Sequence, residues 1–230
     1  LPNLSRDHSS KSPERYSATL DWGLRLVILI GIPAAVGLLT LAGPLLSTLI
    51  QHGKFDVVDV TMTRKSLMAY SLGLPGFMLV KVLASAFYSK QNIKTPVKVA
   101  AFALVLNLIL NIILIHPLAH AGLALSTSIA SFFNAVCLIF LLLRRGIYKP
   151  KANWFSFLLR VGVAAMLMAA FILWYAGSYQ VWMAWDTAVR ILHLLIVITV
   201  SVVLYFSALW LMGLRIKHFR VQDETDSRSS

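Results

Sequence analysis

The side chain with the most unusual chemistry in this sequence is a lysine placed in an apolar run. Lys81 has about three turns of apolar or small residues before it and about two after it. A cation at such a depth in hydrocarbon costs about 2.5–3.5 kcal/mol unless it is solvated. Two readings follow: a structural lysine that snorkels or pairs, or one member of a polar path through a membrane. Ser85 and Tyr88 make one side of its helical face polar, whereas Leu74 and Met78 make the other apolar.

A second constellation lies further along. Asn107 and Asn111 are four residues apart and share a helix face with Ala100 and Ala103. In the next apolar run Gly122, Ser126, Ala130 and Asn134 repeat that spacing, flanked by Thr127 and Ser131. The link between the runs, from His116 to Gly122, is short enough to force an antiparallel hairpin, so these faces are expected to meet. Small and polar residues there serve either close packing with interhelical hydrogen bonds of about 0.6 kcal/mol each, or a cation or substrate site built from oxygens.

The other polar groups offer less. Arg25, in Asp21-Trp22-Gly23-Leu24-Arg25, is an interfacial anchor or a cavity residue, and Arg160 can snorkel along its own stem. His116 and His120 have metal-ligand spacing, but Pro117 and the turn break the helix that such spacing needs, so no metal site is expected. All nine carboxylates fall in loops or at the ends of apolar runs, which leaves no buried acid for a proton relay. The single Cys137 excludes an intrachain disulfide. With no Gly-rich phosphate loop and no Ser/His/Asp or Cys/His set, nothing reads as an enzyme. The substrate-cavity candidates are therefore Lys81, Ser85, Arg25 and Asn134.

The elements that must hold these residues are set by composition. A mean hydropathy of +0.76, with 58% apolar and 13% charged residues, belongs to an all-α integral membrane protein and not to a soluble globule. Six runs are long enough to span about 30 Å of hydrocarbon, at about 24–50, 66–88, 97–115, 119–143, 154–175 and 187–214. Residues 1–22 read as a polar loop or surface segment and 215–230 as a cytoplasmic tail. Pro33 and Gly43-Pro44 should kink or end the first helix, and Gly73, Pro75 and Gly76 interrupt the second. Both helices are expected to line something, because breakers are tolerated where a neighbour or a wet cavity satisfies the freed backbone.

The net charge of +12 could suggest nucleic acid, but the cations cluster between apolar runs instead of along one face. Segments 1–25, 89–98, 144–151 and 214–230 carry 4, 3, 4 and 4 Lys and Arg, whereas 51–65, 116–120 and 176–190 carry 3, 0 and 1. That asymmetry predicts both ends in the cytoplasm. Trp154, Trp174, Tyr175, Trp182 and Trp185 stand at run ends, as interfacial anchors should. Leu1-Pro2 at the start reads as the continuation of something earlier, so a fragment is expected.

Several stretches together resemble one family. Lys81-Val82-Leu83 through Phe87-Tyr88-Ser89, then Ile93-Lys94-Thr95-Pro96-Val97-Lys98, are similar to the lipid II flippase family called MurJ or MviN. So are Asp21-Trp22-Gly23-Leu24-Arg25-Leu26, Gly53-Lys54-Phe55 and His120-Ala121-Gly122-Leu123-Ala124-Leu125-Ser126. The resemblance implies a multidrug/oligosaccharidyl-lipid/polysaccharide (MOP) exporter fold of fourteen helices in two lobes, of which this chain holds helices nine to fourteen. It implies a multi-pass protein of the bacterial cytoplasmic membrane that moves lipid II between leaflets by alternating access. Its partners would be lipid II, membrane lipids and an N-terminal lobe, with no nucleic acid. The alternatives are a relative exporting another lipid-linked saccharide or a drug, and a non-transporting membrane scaffold.

The resemblance also implies that the last two helices form a hydrophobic groove for the undecaprenyl tail. Some family members hold sodium in this lobe, and Asn107, Asn111, the Leu123 carbonyl and Thr127 match those ligands by position. This sequence departs from that pattern at Asn111, an amide where a carboxylate is expected. Sodium is thus the one cofactor to test.

Overall fold

A computed structural model of the chain describes residues 13–50, 57–177, 182 and 185–214. Six long helices run through them: α1 (Pro13–Leu49), α2 (Val57–Ser89), α3 (Lys94–Leu118), α4 (His120–Arg144), α5 (Trp154–Ala176) and α6 (Thr187–Leu211). There is no strand among the described residues. All six are long and apolar enough to cross a membrane, and a helix keeps most of its backbone hydrogen bonds within its own segment, as hydrocarbon demands.

α1 joins two packing units. On one side it lies along α2, which packs in turn on α4, and α4 carries α3. On the other side α5 and α6 pair with each other and with α1. The first unit buries Tyr16, Leu20 and Leu24 of α1 against Leu83 and Phe87 of α2 and Leu138 and Leu142 of α4. The second buries Val161, Met168 and Ile172 of α5 against Val197, Tyr205 and Leu209 of α6.

Several expectations are corrected. Residues 13–22 are not a loop, because α1 already starts at Pro13, where a fixed φ suits a first helical position. Tyr16 and Leu20 repeat at a spacing of four, and both are buried. The polar residues that suggested a loop, Glu14 and Arg15, occupy the exposed face of that turn. Residues 1–12, 51–56 and 215–230, which include the rest of the loop and the tail, lie outside the described residues.

α1 also runs unbroken through Pro33 and Pro44. Pro33 has no N–H for the Leu29 carbonyl one turn back, and Tyr205 of α6 donates its hydroxyl to that carbonyl at 2.8 Å. At the end of α1, Arg190 Nη1 donates to the Ser47 carbonyl at 3.2 Å and Trp182 Nε1 to Thr48 Oγ1 at 3.1 Å. Trp182 is therefore a buried clamp on α1 and not a headgroup anchor. Trp174, 79% exposed, has the anchor's placement.

The glycines of α2 do not open a cavity. A Cβ on Gly73 would lie 2.7 Å from Ser128 Cα, and one on Gly76 would lie 3.1 Å from the Phe132 nitrogen. The helices approach there because α2 has no side chain at either position, the small-residue packing of membrane interfaces. Ser128 Oγ closes the contact by donating to the Ala69 carbonyl at 2.7 Å.

The α3–α4 hairpin is tighter than the sequence indicates, with Ala119 alone between the helices at φ 48°. Gly122 is required there, since a Cβ would run into the Leu114 carbonyl. Just beyond α6, Gly213 takes φ 82°, and Leu214 N–H returns to the Leu209 carbonyl at 3.0 Å in a glycine-terminated cap.

Candidate functional site

Lys81 lies on the side of α2 that turns away from both partners. Its neighbours Val82, Leu83, Ala86 and Phe87 are buried against α1 and α4, while Lys81 itself is exposed. No carboxylate among the described residues pairs with it. It stands eight residues from Ser89 at the helix end, about 12 Å in. Tyr70 and Phe77, stacked with centroids 5.1 Å apart, and the exposed Tyr88 continue the same face at helical spacing. Ser85 is half-buried and turns its hydroxyl onto the Val82 carbonyl at 2.8 Å, so its proton is already used.

Arg25 is placed differently from Lys81. Its Nε donates to Asp21 Oδ2 at 2.8 Å, its Nη2 to the Ala152 carbonyl at 3.1 Å, and its guanidinium lies 5.1 Å from the Trp154 ring centroid. The other Asp21 oxygen accepts from Tyr148 Oη at 2.7 Å, Trp154 Nε1 at 2.8 Å and the Lys151 N–H at 3.2 Å. A carboxylate 1% exposed is tolerated because four donors surround it, one of them the Arg25 cation. Burial, then the hydrogen bond to Asp21 and its charge, push the Tyr148 phenol well up. This cluster fastens α1 to the α4–α5 connection, and sequence reasoning missed it. The available signal was the Asp21/Arg25 spacing of four, which pairs opposite charges on one helical face.

Asn107, Asn111, Leu123 and Thr127 do come together, with Ser126. Asn107 Nδ2 donates to Thr127 Oγ1 at 3.3 Å, and Ser126 Oγ donates to Asn111 Oδ1. Ser126 and Thr127 also approach the Leu123 carbonyl at 2.9 Å each. These oxygens are neutral, and the bonds among them make a clasp across the hairpin. Asn134, further along α4, is half-buried, and its Oδ1 has no partner among the described residues.

Two cavities lie between α1, α5 and α6. One is an apolar trough of about 390 Å³ with Pro33, Gly37 and Leu41 on one wall, Met168 and Ile172 on another, and Ile198 and Tyr205 on the third. The other, about 320 Å³, is lined by both Arg25 and Arg160.

The family model described as "Lipid II flippase MurJ" matches residues 1–194. A lipid II flippase MurJ of Burkholderia cenocepacia is 39% identical over 222 residues, covering 96% of this chain and 43% of its own length. A probable lipid II flippase MurJ of Vibrio cholerae is 38% identical over 224 residues, covering 97% of this chain and 43% of its own length. The chain thus spans less than half the length of these curated relatives. A solved lipid II flippase MurJ in an inward closed conformation superposes with a TM-score of 0.72 at 24% identity, over 89% of this chain and 40% of that one; that likeness is one of fold.

Proposed function

This chain belongs to the lipid II flippase MurJ family, and from that premise we propose that it is the C-terminal lobe portion of a flippase. The flippase carries lipid II, the lipid-linked peptidoglycan precursor, from the inner to the outer leaflet of the bacterial cytoplasmic membrane. The observation that carries the reading is Lys81, exposed and without a carboxylate partner among the described residues. A scaffold has no use for a lysine there, whereas a carrier of a pyrophosphate head does. Lysine supplies a point charge that raises the local potential without dictating one pose.

The remaining parts follow from the substrate's physics. A polar head cannot cross hydrocarbon unaided, so an N-terminal lobe supplies the facing wall of a polar cavity, and rocking of one lobe against the other exposes it to each side in turn. The apolar trough between α1, α5 and α6 suits a chain that stays out of the cavity. The excess of Lys and Arg at the segments around residues 1–25, 89–98 and 144–151 supports cytoplasmic ends. No step is assigned to a cation at the Asn107/Asn111 clasp.

The test is complementation. The N-terminal part of the Burkholderia cenocepacia relative that this chain does not cover is joined to it, and the chimera is expressed in cells depleted of their own flippase. Growth with the chimera, and none with the 230-residue chain alone, is the expected result. Lysis in both cases, with the chimera present at normal levels in the membrane, would overturn the reading.

A further inference from the structure

The chain has exposed faces of two kinds. The outer side of α3 carries Val105, Leu108, Ile109 and Ile112, an aliphatic surface of the sort that hydrocarbon accepts. The side of α2 that carries Lys81 also carries Tyr70, Phe77 and Tyr88, and at 3.6 residues per turn these four fall within an arc of about 40°. Tyr70 is near the middle of α2, about 20 Å from its start and about 29 Å from its end. Tyrosines that anchor a span in the headgroups stand at its ends. This one is 47% exposed, and its hydroxyl makes no hydrogen bond to a described residue. A bare phenol at that depth is costly in lipid, so the ring fronts a space that holds polar groups.

Tyr70 and Phe77 act as one surface. Their ring centroids are 5.1 Å apart and their planes 29° apart, and Phe77 is one helical turn, about 6 Å, from the uncompensated Lys81. A pyranose has a face of C–H bonds that packs on an aromatic ring and a rim of hydroxyls that need hydrogen bonds, for which a phenol is both donor and acceptor. An acyl chain would make no use of the phenol or of the cation beside it. A cation one turn from an aromatic pair instead has the layout of a glycosyl pyrophosphate, in which the anionic group is joined directly to the first sugar.

We propose that Tyr70 and Phe77 are a platform for a pyranose ring, and that they make the carrier select glycosylated over bare lipid pyrophosphate. The inference rests on the transport reading for the pyrophosphate at Lys81, and adds to it the residues that recognise the sugar. Lys81 attracts both lipids alike, so discrimination between them belongs to the rings.

The test uses the chimera described above, purified in detergent and titrated with two probes: undecaprenyl pyrophosphate, and undecaprenyl pyrophosphate bearing one N-acetylglucosamine, which adds a sugar and no peptide. Tyr70→Leu with Phe77→Leu is expected to lower the ratio of the two affinities about tenfold, by weakening the glycosylated lipid alone. Retention of the bare pyrophosphate by that variant shows that it is folded. The exchange Tyr70→Phe with Phe77→Tyr keeps both rings and is expected to keep most of the preference. An unchanged ratio in the leucine variant overturns the platform. So does equal weakening of both lipids, the result if this face merely packs on the other lobe. Growth of the unsubstituted chimera tests the transport reading separately, so either can fail alone.

Discussion

Tyr205 of α6 donates to the Leu29 carbonyl of α1 at 2.8 Å, the carbonyl that Pro33 leaves without its helical donor. A proline that would otherwise weaken α1 is thereby turned into a cross-link between α1 and α6. Removing the hydroxyl in Tyr205→Phe strands a part-buried carbonyl and is expected to cost about 1 kcal/mol. Pro33→Ala restores the missing N–H, so Tyr205→Phe should be nearly silent in that background. Unfolding midpoints of the four variants in one detergent measure the cycle.

Asp21 fixes α1 to the α4–α5 connection and the start of α5 through three donors, Tyr148, the Lys151 N–H and Trp154. Asp21→Asn keeps the shape but leaves Arg25 uncompensated and sets an N–H against the groups donating to it. The expected loss is about 3 kcal/mol, with Tyr148→Phe nearer 1 kcal/mol. Thermal melts of the purified variants compare them, and equal losses would show that the hydrogen bonds and not the charge matter.

The glycines of α2 and α5 should respond oppositely to one methyl group. Gly73→Ala puts a Cβ 2.7 Å from Ser128 Cα and is expected to cost about 1–3 kcal/mol by forcing α2 from α4. Gly162 has nothing within 4 Å of its would-be Cβ, so Gly162→Ala should be neutral or stabilising by up to about 1 kcal/mol. The same melts check both.

The clasp at Asn107, Asn111, Ser126 and Thr127 is bonded across the hairpin through the Asn107 amide and the Ser126 hydroxyl. Exchanging sodium for potassium is therefore expected to leave the unfolding midpoint unchanged, and a rise specific to sodium would assign the cation role instead.

The six spans and the hairpin were legible because hydrocarbon imposes length and polarity limits that composition displays directly. The Asn107–Thr127 meeting was legible from spacing on two adjacent runs. What was hidden depends on partners distant in sequence. Nothing local says that Tyr205 repairs Pro33, that Trp182 reaches Thr48, or that the glycines of α2 press on Ser128. The start of α1 at Pro13 was hidden for another reason: two buried apolar residues one turn apart, Tyr16 and Leu20, carry too little periodicity against a polar background.

Lys81 is expected to border a polar space once both lobes are present. In the chimera, with Cys137→Ala removing the native thiol, Lys81→Cys should react with a charged, water-soluble methanethiosulfonate reagent, and Ile109→Cys on the exposed side of α3 should not. Labelling at 81 with growth lost in Lys81→Glu is the predicted result. No labelling at 81, with Lys81→Glu growing normally, would show that Lys81 lines no polar space.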